Sequence, residues 1–326
     1  MSTYKQIAGT NIEVLSSDPA NPLEGQVWYN STSNTVKGSI PLVSSWATVN
    51  SMNNSRSSLA SAGINTAALA FGGYFPAYAF TESWNGTSWT EVNDLNSARA
   101  ALAGAGINTA ALAFGGDLGP TGGTPEIFAG TETWNGTSWT EVNDLNTARR
   151  YLGGCGANNT SALAFGGRPG SETAATESWN GTNWTEVNDL NTARYGLAGA
   201  GIQTSALAFG GVDIPTNGAL TESWNGTSWT EVADLNTARY SLAGSGADNT
   251  SALGFGGYAV PITAVTESWN GTSWTEVNDL NTARRYLRGC GTNTAALAFG
   301  GDPQPVGGTA TESWDTTGGT ITFSDS

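Results

Sequence analysis

The sequence predicts an all-β fold, a six-bladed β-propeller with four-stranded antiparallel blades and a small N-terminal β-hairpin element, and three recurring signatures predict it. Trp-Thr-Glu-Val-Asn-Asp-Leu-Asn-Ser/Thr-Ala-Arg begins at Trp89, Trp139, Trp184, Trp229 (with Ala233 for Asn) and Trp274, at intervals of 50, 45, 45 and 45 residues, and Trp46 to Arg56 is a degenerate sixth copy. Phe-Gly-Gly begins at Phe71, Phe114, Phe165, Phe209, Phe255 and Phe299. Thr-Glu-Ser/Thr-Trp begins at Thr81, Thr131, Thr176, Thr221, Thr266 and Thr311. A unit this short cannot bury its own apolar faces, so the copies must stack and share one continuous core.

Each unit reads as four strands, a to d. In the fourth unit, Arg194 opens a small-residue strand a, and a short turn at 202–204 follows. Strand b, starting at Ser205, is apolar and ends in Gly-Gly; a variable loop leads to strand c at Thr221, an Asn225-Gly turn and strand d at Trp229. Short runs separated by Gly, Asn and Pro describe an antiparallel meander. Small residues in strand a suit the crowded axis of a ring whose closure removes most exposed edges. Asn-Gly-Thr at Asn85, Asn135, Asn180, Asn225 and Asn270 matches a glycosylation acceptor but reads better as a hairpin turn tolerant of positive φ.

Ring closure has two candidates. The sixth unit supplies strands a to c between Arg284 and Trp314, and its strand d is expected at Trp46 to Asn50, joining the chain ends. Thr320 to Phe323 is the rival. The domain division follows as residues 1–45, a separate small N-terminal element, and 46–326, the propeller.

The order of arginine, small-residue strand, apolar strand ending in Gly-Gly, and two Trp-bearing strands resembles the kelch repeat over residues 46–326. Kelch repeats usually place Tyr in the third strand, where this chain has Trp84 and Trp134.

Net charge is -15 with two lysines, Lys5 and Lys37, so the basic footprint required by nucleic acid or an anionic membrane is missing. Neither partner is expected, and no apolar leader or membrane span is present. Cys155 and Cys290 occupy equivalent places in the third and sixth units, opposite in a six-fold ring and too far apart for the Cα separation of about 5.5 Å that a disulfide needs. Free thiols fit synthesis in a reducing cytosol, and no signal peptide is expected.

The chain contains no histidine, which excludes His-based triads and His-ligated metals. The Gly-Gly pairs end strands and form no nucleotide loop. Carboxylates recur in register (Glu82 and Asp94 with their equivalents), as do Arg56, Arg99, Arg149, Arg194, Arg239 and Arg284; such repetition indicates a structural task. No catalytic residue, metal or cofactor is expected. A glycan-cleaving alternative rests on Ser83-Trp-Asn-Gly-Thr-Ser-Trp89, which is distantly similar to the Asp-containing turn of six-bladed sialidases but is one residue shorter and lacks the Asp.

Variation is concentrated on one rim. The b–c loops differ in every blade and share a face with the d–a links, as does the varied residue after each repeated arginine. The expected ligand-binding rim is Tyr74, Phe75, Tyr78, Phe80, Arg150, Arg168, Tyr195, Tyr240 and Arg285, with Tyr151 and Tyr286 adjoining. Aromatics with polar tips and arginines suit a sugar face or an acidic polymer.

Residues 18–37 contain Asn21-Pro-Leu-Glu-Gly-Gln-Val-Trp-Tyr-Asn30, with strands expected at Gln26 to Tyr29 and Thr35 to Lys37. This stretch resembles a segment of bacteriophage virion proteins, particularly tail-fibre and head-surface proteins of phages infecting marine bacteria and cyanobacteria. The resemblance implies a virion structural protein attached through residues 1–45, with Trp28 and Tyr29 in the attachment segment. The propeller would then project as an adhesin for a host cell-surface glycan or protein, as part of a symmetric homo-oligomer. A passive capsid or tail decoration is the other non-enzymatic reading.

Overall fold

The computed structural model describes residues 12–19, 26–39, 43–74, 77–121, 124–213, 216–302, 308–317 and 320–323. Strands and turns account for them, with no helix among the described residues. Contacts divide the chain into two units, one of them Trp46–Trp314 and the other taking its residues from Met1–Ser45 and Asp315–Ser326.

The larger unit is a six-bladed β-propeller. Blade 4 shows the plan: Ala198–Ile202, Ser205–Phe209, Thr221–Trp224 and Trp229–Val232 are strands a to d, paired in that order and antiparallel. Strands a neighbour one another in succession, and Arg288–Gly291 of blade 6 packs back on Ala60–Ile64 of blade 1. The ring is closed.

Alternation within the strands explains the packing. Thr221–Trp224 and its equivalents bury three of four residues, so blades must pack on both faces. Six apolar clusters result, each drawn from two neighbouring blades. In each, the Phe of Phe-Gly-Gly meets the strand-d Trp of the next blade, as Phe71 meets Trp139 at 4.8 Å and Phe209 meets Trp274 at 4.9 Å. That Trp's indole N–H reaches back to the strand-c Thr of the preceding blade, Trp139 to Thr81 at 3.1 Å and Trp184 to Thr131 at 3.0 Å. Such aromatic pairs contribute roughly 0.5–1.5 kcal/mol beyond buried area.

Closure uses the N-terminal strand. Val43–Val49 is the fourth strand of blade 6, beside Thr311–Thr317. Trp46 lies 4.8 Å from Phe255 and donates to Thr266 at 3.1 Å, the contacts every other strand-d Trp makes. The rival, Thr320–Phe323, instead pairs antiparallel with Thr35–Ser39. The ladder hydrogen bonds of Thr320–Phe323 thus go to the small sheet, and contacts group Trp46–Trp314 as the propeller unit.

That small sheet has the order Glu13–Leu15, Val27–Asn30, Thr35–Ser39 and Thr320–Phe323, the first pair parallel. A lone hairpin would be marginal, and here a strand flanks each edge. Asp18 ties the sheet together, accepting from the Trp28 indole at 3.0 Å and from Asn30 and Lys37 at 2.7 Å. Lys37 first, then Asn30 and Trp28, hold the Asp18 carboxyl down to about 2. Because its folded pKa lies below the unfolded value of about 3.9, the contribution is complete above that value and fades as pH falls toward 2. Hydrogen exchange of the Trp28 indole should thus be slow at neutral pH and fast in Asp18→Ala, which removes the acceptor. Equal protection in the two proteins at neutral pH would refute the clamp.

Candidate binding rim

The repeated charges form the framework beneath the rim. Arg56, Arg99, Arg149, Arg194, Arg239 and Arg284 are fully buried, each with an Nη2 2.8–3.1 Å from a strand-c glutamate of its blade. In blade 6, Arg284 Nη1 also donates to the carbonyls of Gly300 and Ala310 at 2.8 Å, fastening both ends of the b–c loop. The other carboxylate oxygen accepts from the d–a link: Glu222 Oε2 takes the Asn191 backbone N–H at 2.7 Å and its side-chain amide at 2.9 Å. Burial pulls the Arg56, Arg99 and Arg239 guanidinium groups down to about 10, with the paired glutamates opposing, so these arginines stay cationic near neutrality. Asp94 and its equivalents cap strand c, the carboxylate of Asp94 accepting the Thr81 N–H at 3.1 Å.

Two residues past each arginine the backbone takes a left-handed turn, at Ser58, Ala101, Tyr151, Gly196, Ser241 and Tyr286, with φ between 52° and 66°. Each N–H there donates to the corresponding carbonyl of the preceding blade: Ala101 to Ser58, Tyr151 to Ala101, Gly196 to Tyr151, Ser241 to Gly196, Tyr286 to Ser241 and Ser58 to Tyr286, at 2.7–2.9 Å. Six amides close a hydrogen-bonded circle around the axis.

Side chains fan outward from that circle. The residue after each arginine bridges the residue after Gly-Gly, pairing Ser57 with Tyr74, Ala100 with Asp117, Arg150 with Arg168, Tyr195 with Val212, Tyr240 with Tyr258 and Arg285 with Asp302. The two variable positions of each blade therefore lie side by side. On blades 3 to 6 they merge into a belt. Arg168 lies 5.1 Å over Tyr195, Tyr195 is 6.3 Å from Tyr151, and Tyr151 is 6.2 Å from Tyr286. Arg285 lies 5.2 Å over Tyr286 and 5.4 Å over Tyr258, which meets Tyr240 at 5.3 Å. Arg150 lies 5.4 Å over Tyr151 and is ion-paired with Asp117, as Arg285 is with Asp302 at 3.2 Å. Burial raises the Tyr151 phenol above its ordinary pKa, keeping it a neutral donor.

The structure thus brings Arg150, Arg168, Tyr195, Tyr240 and Arg285 together. Tyr74 is exposed on blade 1, within electrostatic range of Tyr151, and on the same blade Tyr78 and Phe80 stack at 4.9 Å; Phe75 lies outside the described residues. Tyr258, Asp117 and Asp302 were not singled out by sequence, although their place directly after Gly-Gly, opposite the varied residue, was the signal for them. In the small sheet Tyr29 is half-buried, bonded to Asn34 at 3.1 Å, whereas Trp28 is fully buried and can act only by holding the sheet.

The Asn-Gly turns are structural. Asn85 Oδ1 accepts the N–H groups of Thr87 and Ser88 at 2.9 Å, and Gly86 takes a φ of 91°. Cys155 and Cys290 are free and buried, their thiols pushed up to about 12 by desolvation. No group of three His, Cys, Asp or Glu among the described residues is placed to hold a metal ion.

Scanned against protein-family models and curated proteins, the chain matches none. Among solved structures it is similar to YjhT, with a TM-score of 0.65 and 14% identity over 84% of this chain and 97% of that one. Identity at that level speaks for the fold, a β-propeller, which the blade pairing establishes independently.

Proposed function

We propose that the chain is a bacteriophage virion structural protein whose propeller is a non-enzymatic adhesin for a host-surface glycan. The observation that carries the adhesive reading is the belt of tyrosines and arginines on blades 3 to 6, a flat alternation of rings and guanidinium groups. Tyrosine faces cover the apolar face of a sugar ring, and guanidinium groups bond its hydroxyls and acidic substituents. The buried framework below it is structural: the strand-c glutamates are ion-paired and the repeated aspartates cap strands, while Asp117 and Asp302 are paired with arginines. This supports binding over cleavage. The virion assignment rests on the resemblance of residues 18–37, with the small sheet as the attachment element, symmetric copies on the particle, and other virion proteins as its partners.

The triple variant Arg168→Ser, Tyr195→Ser, Tyr240→Ser tests the rim. None of these three takes part in an ion pair among the described residues, so each substitution should cost less than about 0.5 kcal/mol. Purified protein should bind host envelope polysaccharide without releasing reducing sugar, and the variant should lose retention while unfolding at nearly the same temperature. Retention by the folded variant would refute the rim; released sugar would establish a cleaving enzyme; failure of the native protein to bind would favour decoration.

A further inference from the structure

Arg288 breaks the six-fold pattern. It begins strand a of blade 6, where the other five blades have Ala60, Ala103, Gly153, Ala198 and Ala243. Small residues at that position leave room around the axis, and this one arginine projects into it. Its Nη2 donates to the carbonyl of Leu102 in blade 2 at 3.3 Å, so the side chain passes blade 1 and crosses the channel.

No carboxylate compensates it. Among the described residues the ion pairs of this chain leave Arg288 out, and the space beside it is walled by small, neutral residues such as Ser61, Gly104, Gly154 and Gly199. Desolvation pulls its guanidinium down to about 10, still cationic near neutrality. A guanidinium carries five donors, and Arg288, which lines the cavity, spends one of them on the Leu102 carbonyl. A partly buried charge with no carboxylate partner is costly, and a diffusible counter-ion lowers that cost.

The space suits one. A cavity of ≈ 50 Å³ adjoins Arg288, and a single water needs roughly 10–15 Å³ by that measure. On the rim side only ≈ 10 Å³ remains beneath Tyr151 and Tyr286. On the other side the channel widens to ≈ 240 Å³ between the a–b turns, lined by Gly, Ala, Ser, Ile, Cys and Thr with no acid. Arg288 is the stopper at the closed end of a neutral funnel.

We propose that this funnel is a receptor for one small free oxyanion, of the size and geometry of phosphate or sulfate, entering from the face opposite the rim and held by the planar fork of Arg288. Two parallel N–H donors match two oxygens of such an anion. The site is independent of the rim and uses none of its residues.

The test is a thermal-unfolding and calorimetric titration with inorganic phosphate and with sulfate at constant ionic strength, on the native chain and on Arg288→Ala. The variant restores the residue that four other blades carry, so it should fold. The native protein should show a saturable, one-site rise in Tm and heat of binding, weakened about tenfold or more in Arg288→Ala, as expected for loss of charge-assisted bonds. An equal response in the two proteins, or none that saturates in the native chain at millimolar anion, overturns the proposal. Weaker but measurable binding in Arg288→Lys, which keeps the charge and loses the fork, would support it further.

Discussion

Arg149→Ala will destabilise the propeller by about 3–5 kcal/mol, the usual result of removing one partner of a buried ion pair. The Arg149 guanidinium lies 3.0 Å from Glu177 and also donates to the carbonyls of Gly166, Ala164 and Ala175. Its loss leaves Glu177 as a buried carboxylate with only the Asn146 donors, and frees three carbonyls at the base of the b–c loop. Urea unfolding should show the loss in the midpoint. Adding Glu177→Gln should recover part of it, because the variant then buries no unpaired charge. A single-variant loss below about 1 kcal/mol would mean that water reaches the pair and that its screening is that of a surface ion pair.

The second large effect belongs to closure. Trp46→Ala should cost roughly 3–5 kcal/mol through the cavity left between blades 5 and 6, where the indole meets Phe255 at 4.8 Å and Trp314 at 5.4 Å. Phe323→Ala, at the half-exposed end of the rival strand, should change stability by less than about 0.5 kcal/mol. Calorimetry of the two variants decides between the strands, and the reverse order of effects would show that Trp46 is not the keystone.

Fold and framework were legible because they are repeated. Each of the six copies of Phe-Gly-Gly or the strand-d Trp performs the same contact, so period and residue type together revealed blade, count and closing strand. Position in the chain misled about the tail: Thr320–Phe323 has ordinary strand character, and nothing local says that its partner is Thr35–Ser39, almost three hundred residues earlier. The rim was half legible. Variation marked Arg150, Tyr195, Tyr240 and Arg285, but the bridges that set Tyr258 beside Tyr240 and Asp302 beside Arg285 depend on the loop leaving Gly-Gly, where Gly256 and Gly300 take φ of 64°. Arg288 was visible only as an odd letter in a small-residue strand. Its meaning required the channel.

The circle of amides around the axis has a consequence for how such a chain can change. Its six hydrogen bonds run between main-chain atoms, so they are indifferent to whether the residue is Ala101, Tyr151 or Gly196. The interfaces outside it reuse one Phe, Trp and Thr set at every junction. A blade whose four strands are contiguous in the chain can therefore be exchanged for another at these joints, and a chimera carrying a second copy of blade 3 in place of blade 2 would keep the amide circle and the Phe, Trp and Thr contacts while redrawing the face. Near-identical coding repeats favour such exchanges, whereas gain or loss of a whole unit would leave the first and last joints unable to meet. The architecture separates inheritance of the ring from inheritance of its markings: number is locked by geometry, and identity is free to be reshuffled one 45-residue cassette at a time.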